Sequence, residues 1–473
     1  MNNIRKMQRK WGDVGLKRES YGYRRWVNYI LILLAVVLLT SCNAGDSGTS
    51  LPELPGSNRG PDEEGANSGS DAPSDSDAGS ESESDAEEGQ TSIPPKHDDQ
   101  DLLPEQEAAM EQLANLSIED KIGQMIISGF PGTELDTEAE DLIRKGQLGG
   151  VILFGPNIHD QKQLQSLINE VKKSNGEGQL PLFISVDEEG GRVSRLPEGK
   201  TEFPSNRQIG KYNNADLSAQ IGSVIGTELG AFGFNLNFAP VLDIFSNPEN
   251  TVIGNRSFGD SAETVSELGI ATMKGMQEAG VIAAVKHFPG HGDTKVDSHI
   301  GLPVVQKTKE ELAELELVPF QAAIEDGADM MMAAHIQYPQ IDASLRPASL
   351  SEVMLSALLR EEMGYDGVVI TDDLEMGAIQ QNYGSGEAAL MAIQAGADVV
   401  LFGHTPAKAE KAYNTLLQAV RKGELSAEDI DRKVLRILTL KYKYELTNEP
   451  VEESALQVVG SSEHQQIADQ LKK

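Results

Sequence analysis

The sequence predicts an α/β protein, a closed (β/α)₈ barrel preceded by a disordered acidic linker. Three observations predict it. Eight short apolar runs alternate with helical segments from about Leu102 onward. The runs are continuously apolar rather than alternating, as expected of strands buried on both faces. Several are introduced by similar turns: Leu148-Gly149-Gly150, Asp326-Gly327-Ala328-Asp329, Tyr365-Asp366-Gly367 and Ala395-Gly396-Ala397-Asp398. Alternating β and α with eight parallel candidates points to the closed barrel, and an open doubly wound sheet is the alternative.

Taken in chain order, residues 1–41 read as an export signal. Arg5, Lys6, Arg9, Lys10, Lys17, Arg18, Arg24 and Arg25 form a basic region ahead of an apolar run over 29–39, too short to span a bilayer as a stable helix. The run ends Leu39-Thr40-Ser41-Cys42, which resembles a bacterial lipobox. Cys42 is the chain's one cysteine, so no intrachain disulfide is possible, and the resemblance implies its lipidation as the mature N-terminus of an extracytoplasmic, membrane-anchored protein. Residues 42–100 are Gly, Ser, Asp, Glu and Pro with almost no apolar residues. They cannot repay their ordering entropy and are expected to form a disordered spacer.

The barrel is expected over 101–445. Ser117-Ile118-Glu119-Asp120 reads as a helix start. Strands are expected at 124–130, 149–154, 182–186, 235–238, 282–285, 329–334, 367–371 and 398–402, with helices between them, for example over 309–326 and 387–395. Residues 446–473 form a C-terminal tail.

Composition narrows the function. With 40 basic against 74 acidic residues the formal net charge is -34, which repels phosphate backbones and argues against a nucleic-acid partner. It also repels an anionic membrane surface, so membrane attachment needs the anchor at Cys42.

A barrel carries its active site at the C-terminal ends of its strands. Polar residues collect there. The third run leads into Asp187-Glu188-Glu189-Gly190-Gly191-Arg192-Val193-Ser194-Arg195, and the fourth into Ala239-Pro240-Val241-Leu242-Asp243 and later Asn255-Arg256-Ser257-Phe258-Gly259. The fifth leads into Lys286-His287-Phe288-Pro289-Gly290-His291-Gly292-Asp293-Thr294, then Asp297-Ser298-His299; the sixth ends at His335 and the seventh at Asp372-Asp373. Glycoside hydrolysis needs a carboxylate beneath the anomeric carbon and a proton donor at the leaving oxygen. Asp372 suits the carboxylate, whereas Asp373 reads as a helix N-cap after the strand. Asp297 and His299 place an acid beside an imidazole that titrates near neutrality, a proton donor and acceptor. A loop whose Asp and His merely bond each other is the plain alternative. A metal site from His287, His291, Asp293, Asp297 and His299 is a competing reading; its spacings match no metal motif, and Lys286 would set a cation against the metal.

The strand-five motif with Asp297-Ser298-His299, together with 186–195, 255–259 and 370–376, resembles the glycoside hydrolase family 3 β-N-acetylhexosaminidases of the NagZ type, over about Leu102 to Tyr444. The resemblance implies that Asp372 is the nucleophile, His299 the acid/base and Asp297 its partner. It implies that Asp187, Arg195, Arg256, Lys286 and His287 hold the N-acetylglucosamine ring, that His291 and Asp293 support the loop, and that no cofactor or metal takes part. The implied activity is retaining, exo-acting removal of β-linked N-acetylglucosamine, from peptidoglycan-derived muropeptides. Phosphorolysis of the same glycosides and sugar capture without turnover are the alternatives. The β-glucosidase-like members take their acid/base carboxylate from a second, C-terminal domain. Residues 459–468 resemble its opening, so the tail is expected to be the start of a domain that is otherwise missing.

Overall fold

The computed structural model describes residues 102–176, 179–294, 297–298 and 301–472. The expected export signal, the expected acidic spacer, Cys42 and His299 lie outside the described residues. Among the described residues no helix is long and apolar enough to cross a membrane.

Eight parallel strands close into a barrel in sequence order, each bonded to its neighbours and the last to the first. They are β1 (Ile126–Ser128), β2 (Gly150–Ile152), β3 (Phe183–Val186), β4 (Leu236–Asn237), β5 (Ile282–Phe288), β6 (Met330–Ala333), β7 (Val368–Asp373) and β8 (Val399–Phe402). Every expected run holds one strand. All but the last two residues of β7 are buried, which explains the unbroken apolar pattern. The double glycine before β2 has a packing cause: a Cβ on Gly149 would lie 2.3 Å from the carbonyl oxygen of Gln124.

The local signals hold with two differences. Ser117 caps Ile118–Gln124, its side chain accepting from Asp120 N–H while Asp120 reaches back to the N–H of Ser117. The helix expected over 309–326 is two helices, Lys309–Glu314 and Val318–Glu325. Pro319 is the reason: it lacks an N–H and its ring crowds the residue four back, Leu315, where the helical dihedrals fail. The second difference is that β5 and β7 run past their apolar stretches into the polar residues beyond.

The C-terminal tail packs back onto the flank of the barrel as Glu453–Val458 and Ser462–Asp469. Its anchor is the buried Glu228 of helix Ala215–Phe232, which accepts from Gly460 N at 2.9 Å and pairs with His464 Nδ1 at 2.8 Å. At the barrel's other end Lys441 donates to the Pro181 and Gly149 carbonyls and to Gln124, with Phe183's ring 4.5 Å away.

Candidate active site

The polar residues at the strand ends converge on one pocket of about 220 Å³ at the C-terminal mouth of the barrel. Asp187, Arg195, Arg256, Lys286, His287 and Asp372 all line it. Irregular strand ends aim them. The β5–β6 register shifts between Val285 and Phe288, and the β7–β8 register between Ile370 and Asp373. Shifts of this kind re-aim side chains, and here they fall on Lys286-His287 and on the Asp pair.

One wall is a buried ion cluster. Arg256 grips Glu189 with two bonds, Nε at 2.9 Å and a terminal nitrogen at 2.7 Å. Lys286 Nζ lies 2.7 Å from the same carboxylate and also donates to Asp187. Burial would raise the Glu189 carboxyl, but the Arg256 and Lys286 charges beside it win and hold it well below the carboxylate range. Lys286 is raised in turn: burial opposes its charge, and Asp187 and Glu189 outweigh the burial. Arg195 differs from both. Among the described residues its guanidinium forms no ion pair, while its N–H donates to Glu188.

Behind the wall, the fully buried Asp243 orders two histidines. It accepts from His287 N and His291 N, and its second oxygen lies 2.6 Å from His287 Nδ1. Burial raises this carboxyl, yet His287 and then His291 bring it below its ordinary value. A carboxylate there accepts from Nδ1–H of His287, and Nε2 is turned toward Arg256, 3.4 Å away. His291 is pushed down to about 4, first by burial and then by His287, so it is neutral at pH 7. Its two ring nitrogens bond Thr294 Oγ1 at 2.9 Å and Ser298 Oγ at 3.2 Å. It therefore ties Thr294 to Ser298, the residue after Asp297. Asn250 holds the same loop by donating to the carbonyls of His291 and Gly292. Asp293 lies 3.6 Å from Lys307 at the loop's outer side. Ser298 is buried and its carbonyl accepts from Ala378 N, which seats the loop against the segment after β7; Asp297 is half-buried.

Asp372 stands at the end of β7, its Oδ1 accepting from Asp373 N at 2.8 Å. Burial would raise its carboxyl. The His335 and His287 rings, that N–H and Lys286 together bring it below its ordinary value, so it is ionised at neutral pH. Asp373 is not the helix N-cap expected of it. The next helix, Gly377–Gln380, has Met376 as its cap. Asp373 instead accepts from Glu375 N and Gly403 N, both at 2.8 Å, so it holds the turn after β7 against the end of β8. Burial, then the nearby Glu375 and Asp372 charges, push it up to about 7, against the two N–H donors.

The structure adds five residues to which the sequence alone assigns no role: Glu189, Asp243, Asn250, Phe154 and His404. Phe154 ends the second apolar run and His404 lies just past the eighth, so their position at strand ends is the signal that could have found them. The other three are recognisable only by distant partners.

The chain matches the model of the glycosyl hydrolase family 3 N-terminal domain over residues 117–440. It is 39% identical over 334 residues to a beta-hexosaminidase A of Pseudoalteromonas piscicida, an alignment covering 66% of this chain and 56% of that one. It is 40% identical over 286 residues to a beta-hexosaminidase of Thiobacillus denitrificans, covering 59% and 78%. The chain thus spans just over half of the first relative and more of the second. The structure of a family 3 beta-N-acetylglucosaminidase from Paenibacillus sp. str. FPU-7 superposes with a TM-score of 0.72 at 43% identity, covering 75% of this chain and 68% of that one. With the barrel, the strand-end pocket and this match over most of its length, the chain belongs to glycosyl hydrolase family 3.

Proposed function

We propose that the chain is an exo-acting, retaining β-N-acetylglucosaminidase. The observation that carries this is the ionised Asp372 on a pocket whose facing wall is the Asp187–Lys286–Glu189–Arg256 cluster. An ionised carboxylate at a strand end on a small pocket suits attack on one carbon. A wall of fixed donors and acceptors suits a ring of hydroxyls and an acetamido group. The names of the relatives support the sugar.

In the first step Asp372 attacks the anomeric carbon, the glycosidic bond breaks, and His299 gives its proton to the leaving oxygen. The sugar is then held covalently on Asp372 with inverted configuration. In the second step His299 takes a proton from water, the water oxygen attacks the anomeric carbon, and Asp372 leaves, which restores the β configuration. Asp297 orients the His299 ring. Asp187, Arg195, Arg256, Lys286 and His287 hold the sugar and keep it in line for attack.

The natural substrate we propose is a muropeptide released from peptidoglycan outside the cell. The chain is held at the membrane by lipid on Cys42, with the acidic spacer over 42–100 between anchor and barrel. One assay tests the activity: release of phenol from aryl N-acetyl-β-glucosaminide against aryl β-glucoside, with and without phosphate. Preferred turnover of the acetamido sugar, indifferent to phosphate, is expected. Binding without turnover would make the chain a sugar-capture protein, and dependence on phosphate would make it a phosphorylase.

A further inference from the structure

Two aromatic rings at the pocket have no part in the chemistry above. Phe154 follows β2 and His404 follows β8. Their centroids are 4.6 Å apart at an interplanar angle of 39°, and both line the pocket that holds Asp372. The His404 side chain is 62% exposed, so it is not there to fill a core.

The backbones beneath the half-buried Phe154 and the exposed His404 are clamped by buried polar groups. Phe154 N donates to Asn157 Oδ1 at 2.9 Å, and Asn157, 2% exposed, donates in turn to the carbonyls of Phe130 and Gly132. On the other side Glu375 accepts from His404 N and Thr405 N, both at 2.8 Å, from Thr405 Oγ1 at 2.7 Å and from Lys408 Nζ at 2.8 Å. A solvated surface ring needs no such support. A ring that must meet a ligand at a fixed height gains from it, because its ordering is complete before binding.

The location selects the ligand. The barrel closes in sequence order, with β8 paired to β7 and β2 paired to β3, so the two rings occupy the arc of the mouth between Asp372 and the charged cluster at the ends of β3 to β5. Asp373 joins the two parts: its carboxyl accepts from Gly403 N and lies 3.9 Å from His404 Nε2. A β-linked glucopyranoside has equatorial hydroxyls, so each ring face presents axial C–H groups. Such a face lies against the electron-rich face of an aromatic ring. Phe154 is the one phenyl ring on this pocket among the described residues.

We propose that Phe154 and His404 form the platform for the leaving sugar, the ring on the far side of the bond cut above Asp372, and so determine a preference for a pyranose aglycone. This rests on the glycosidase reading and adds the residues that select the leaving group. The test compares kcat/KM for the β-1,4-linked dimer of N-acetylglucosamine with that for methyl N-acetyl-β-glucosaminide, whose aglycone is too small to stack. The measured quantity is the ratio of the two. Phe154→Leu, which keeps apolar volume without a flat ring, and His404→Ala should each lower the ratio by about tenfold, the size of a lost ring contact. His404→Phe should retain the ratio. Equal losses on both substrates, an unchanged ratio in both variants, or a wild-type preference for the methyl glycoside would overturn the platform. If the wild-type protein hydrolyses neither, the glycosidase reading fails and the platform with it.

Discussion

The backbone N–H of Asp373 donates to the carboxylate of Asp372 at 2.8 Å, and the two neighbouring acids are shifted in opposite directions. Asp372 faces the His335 and His287 rings and Lys286 and stays ionised. Asp373 is buried toward β8 beside the Glu375 and Asp372 charges and is pushed up to about 7. Residues adjacent in sequence are thus separated by their environments into a group ionised at neutral pH and a group that titrates near neutrality.

That separation predicts a pH dependence of stability. Asp373 has a folded pKa above its unfolded value, so its contribution is fully present below about pH 4 and is lost as pH rises through about 7. Asp373→Asn carries no charge and removes this slope. Thermal melts between pH 4 and pH 8 should show the variant gaining on the wild type as pH rises. The gain should be a few kcal/mol at most, since each tenfold difference in proton affinity between folded and unfolded chain is worth about 1.4 kcal/mol. Parallel melting curves across that range would contradict the assignment.

Asp243 sets the tautomer of His287. In Asp243→Asn the amide nitrogen can face Nδ1, which drives the ring proton to Nε2, where it meets the Arg256 guanidinium donor. Two backbone N–H groups, those of His287 and His291, lose their anionic acceptor as well. We expect kcat/KM to fall by about 10–100-fold, the range for groups that orient a ligand-binding ring, with the fold retained by circular dichroism. An unchanged kcat/KM would show that the His287 tautomer is irrelevant to binding.

Chelation should leave activity intact. His287 is held between Asp243 and Arg256, and both ring nitrogens of His291 are bonded to hydroxyls. A cation at this cluster would also stand against Lys286 and Arg256. Inhibition by EDTA that zinc restores would overturn this and favour the metallohydrolase alternative.

The lipobox-like run ending at Cys42 predicts that the mature protein partitions with membranes. Cys42→Ala should release it or block its processing. A variant that is processed normally and remains fully membrane-bound would refute the anchor.

How much of the fold and the site is legible in the sequence depends on what each residue touches. The barrel is legible because strands buried on both faces need unbroken apolar runs, and all eight runs carry a strand. The extents of β5 and β7 are not, because Lys286, His287, Asp372 and Asp373 are polar yet remain in the strands; their polarity serves the pocket, not the core. The break at Leu315 could have been anticipated from Pro319. Glu189 and Asp243 cannot be found from spacing, since a buried carboxylate is identified by its partners, and these lie 67 residues on at Arg256 and 44 residues on at His287. Asp373 departs from its expected role because an N-cap and a strand-to-strand brace use the same short acidic side chain. The element that packs beside the aspartate decides between them, and here that element is β8.

The last prediction separates the proposed roles of Asp372 and His299. A retaining mechanism has a glycosylation and a deglycosylation step. Asp372 forms the covalent bond, so Asp372→Ala should lower turnover by ~10³-fold or more whatever the leaving group, as expected when the group that forms the bond is removed. His299 acts in the first step only where the leaving oxygen needs a proton. With a good phenolate leaving group His299→Ala should still be glycosylated, then stall because no base activates water. Azide is already an anion and needs no base. It should restore the second step in His299→Ala and yield a glycosyl azide of β configuration, because the product has undergone two inversions. Asp297→Ala keeps the imidazole but loses its orienting partner, so it should show a weaker form of the same defect. Azide should restore nothing in Asp372→Ala, which never forms the intermediate. A product of α configuration, or no azide effect on His299→Ala, would reassign both residues. Activity persisting in Asp372→Ala would mean that the substrate's own acetamido group attacks the anomeric carbon in place of the enzyme.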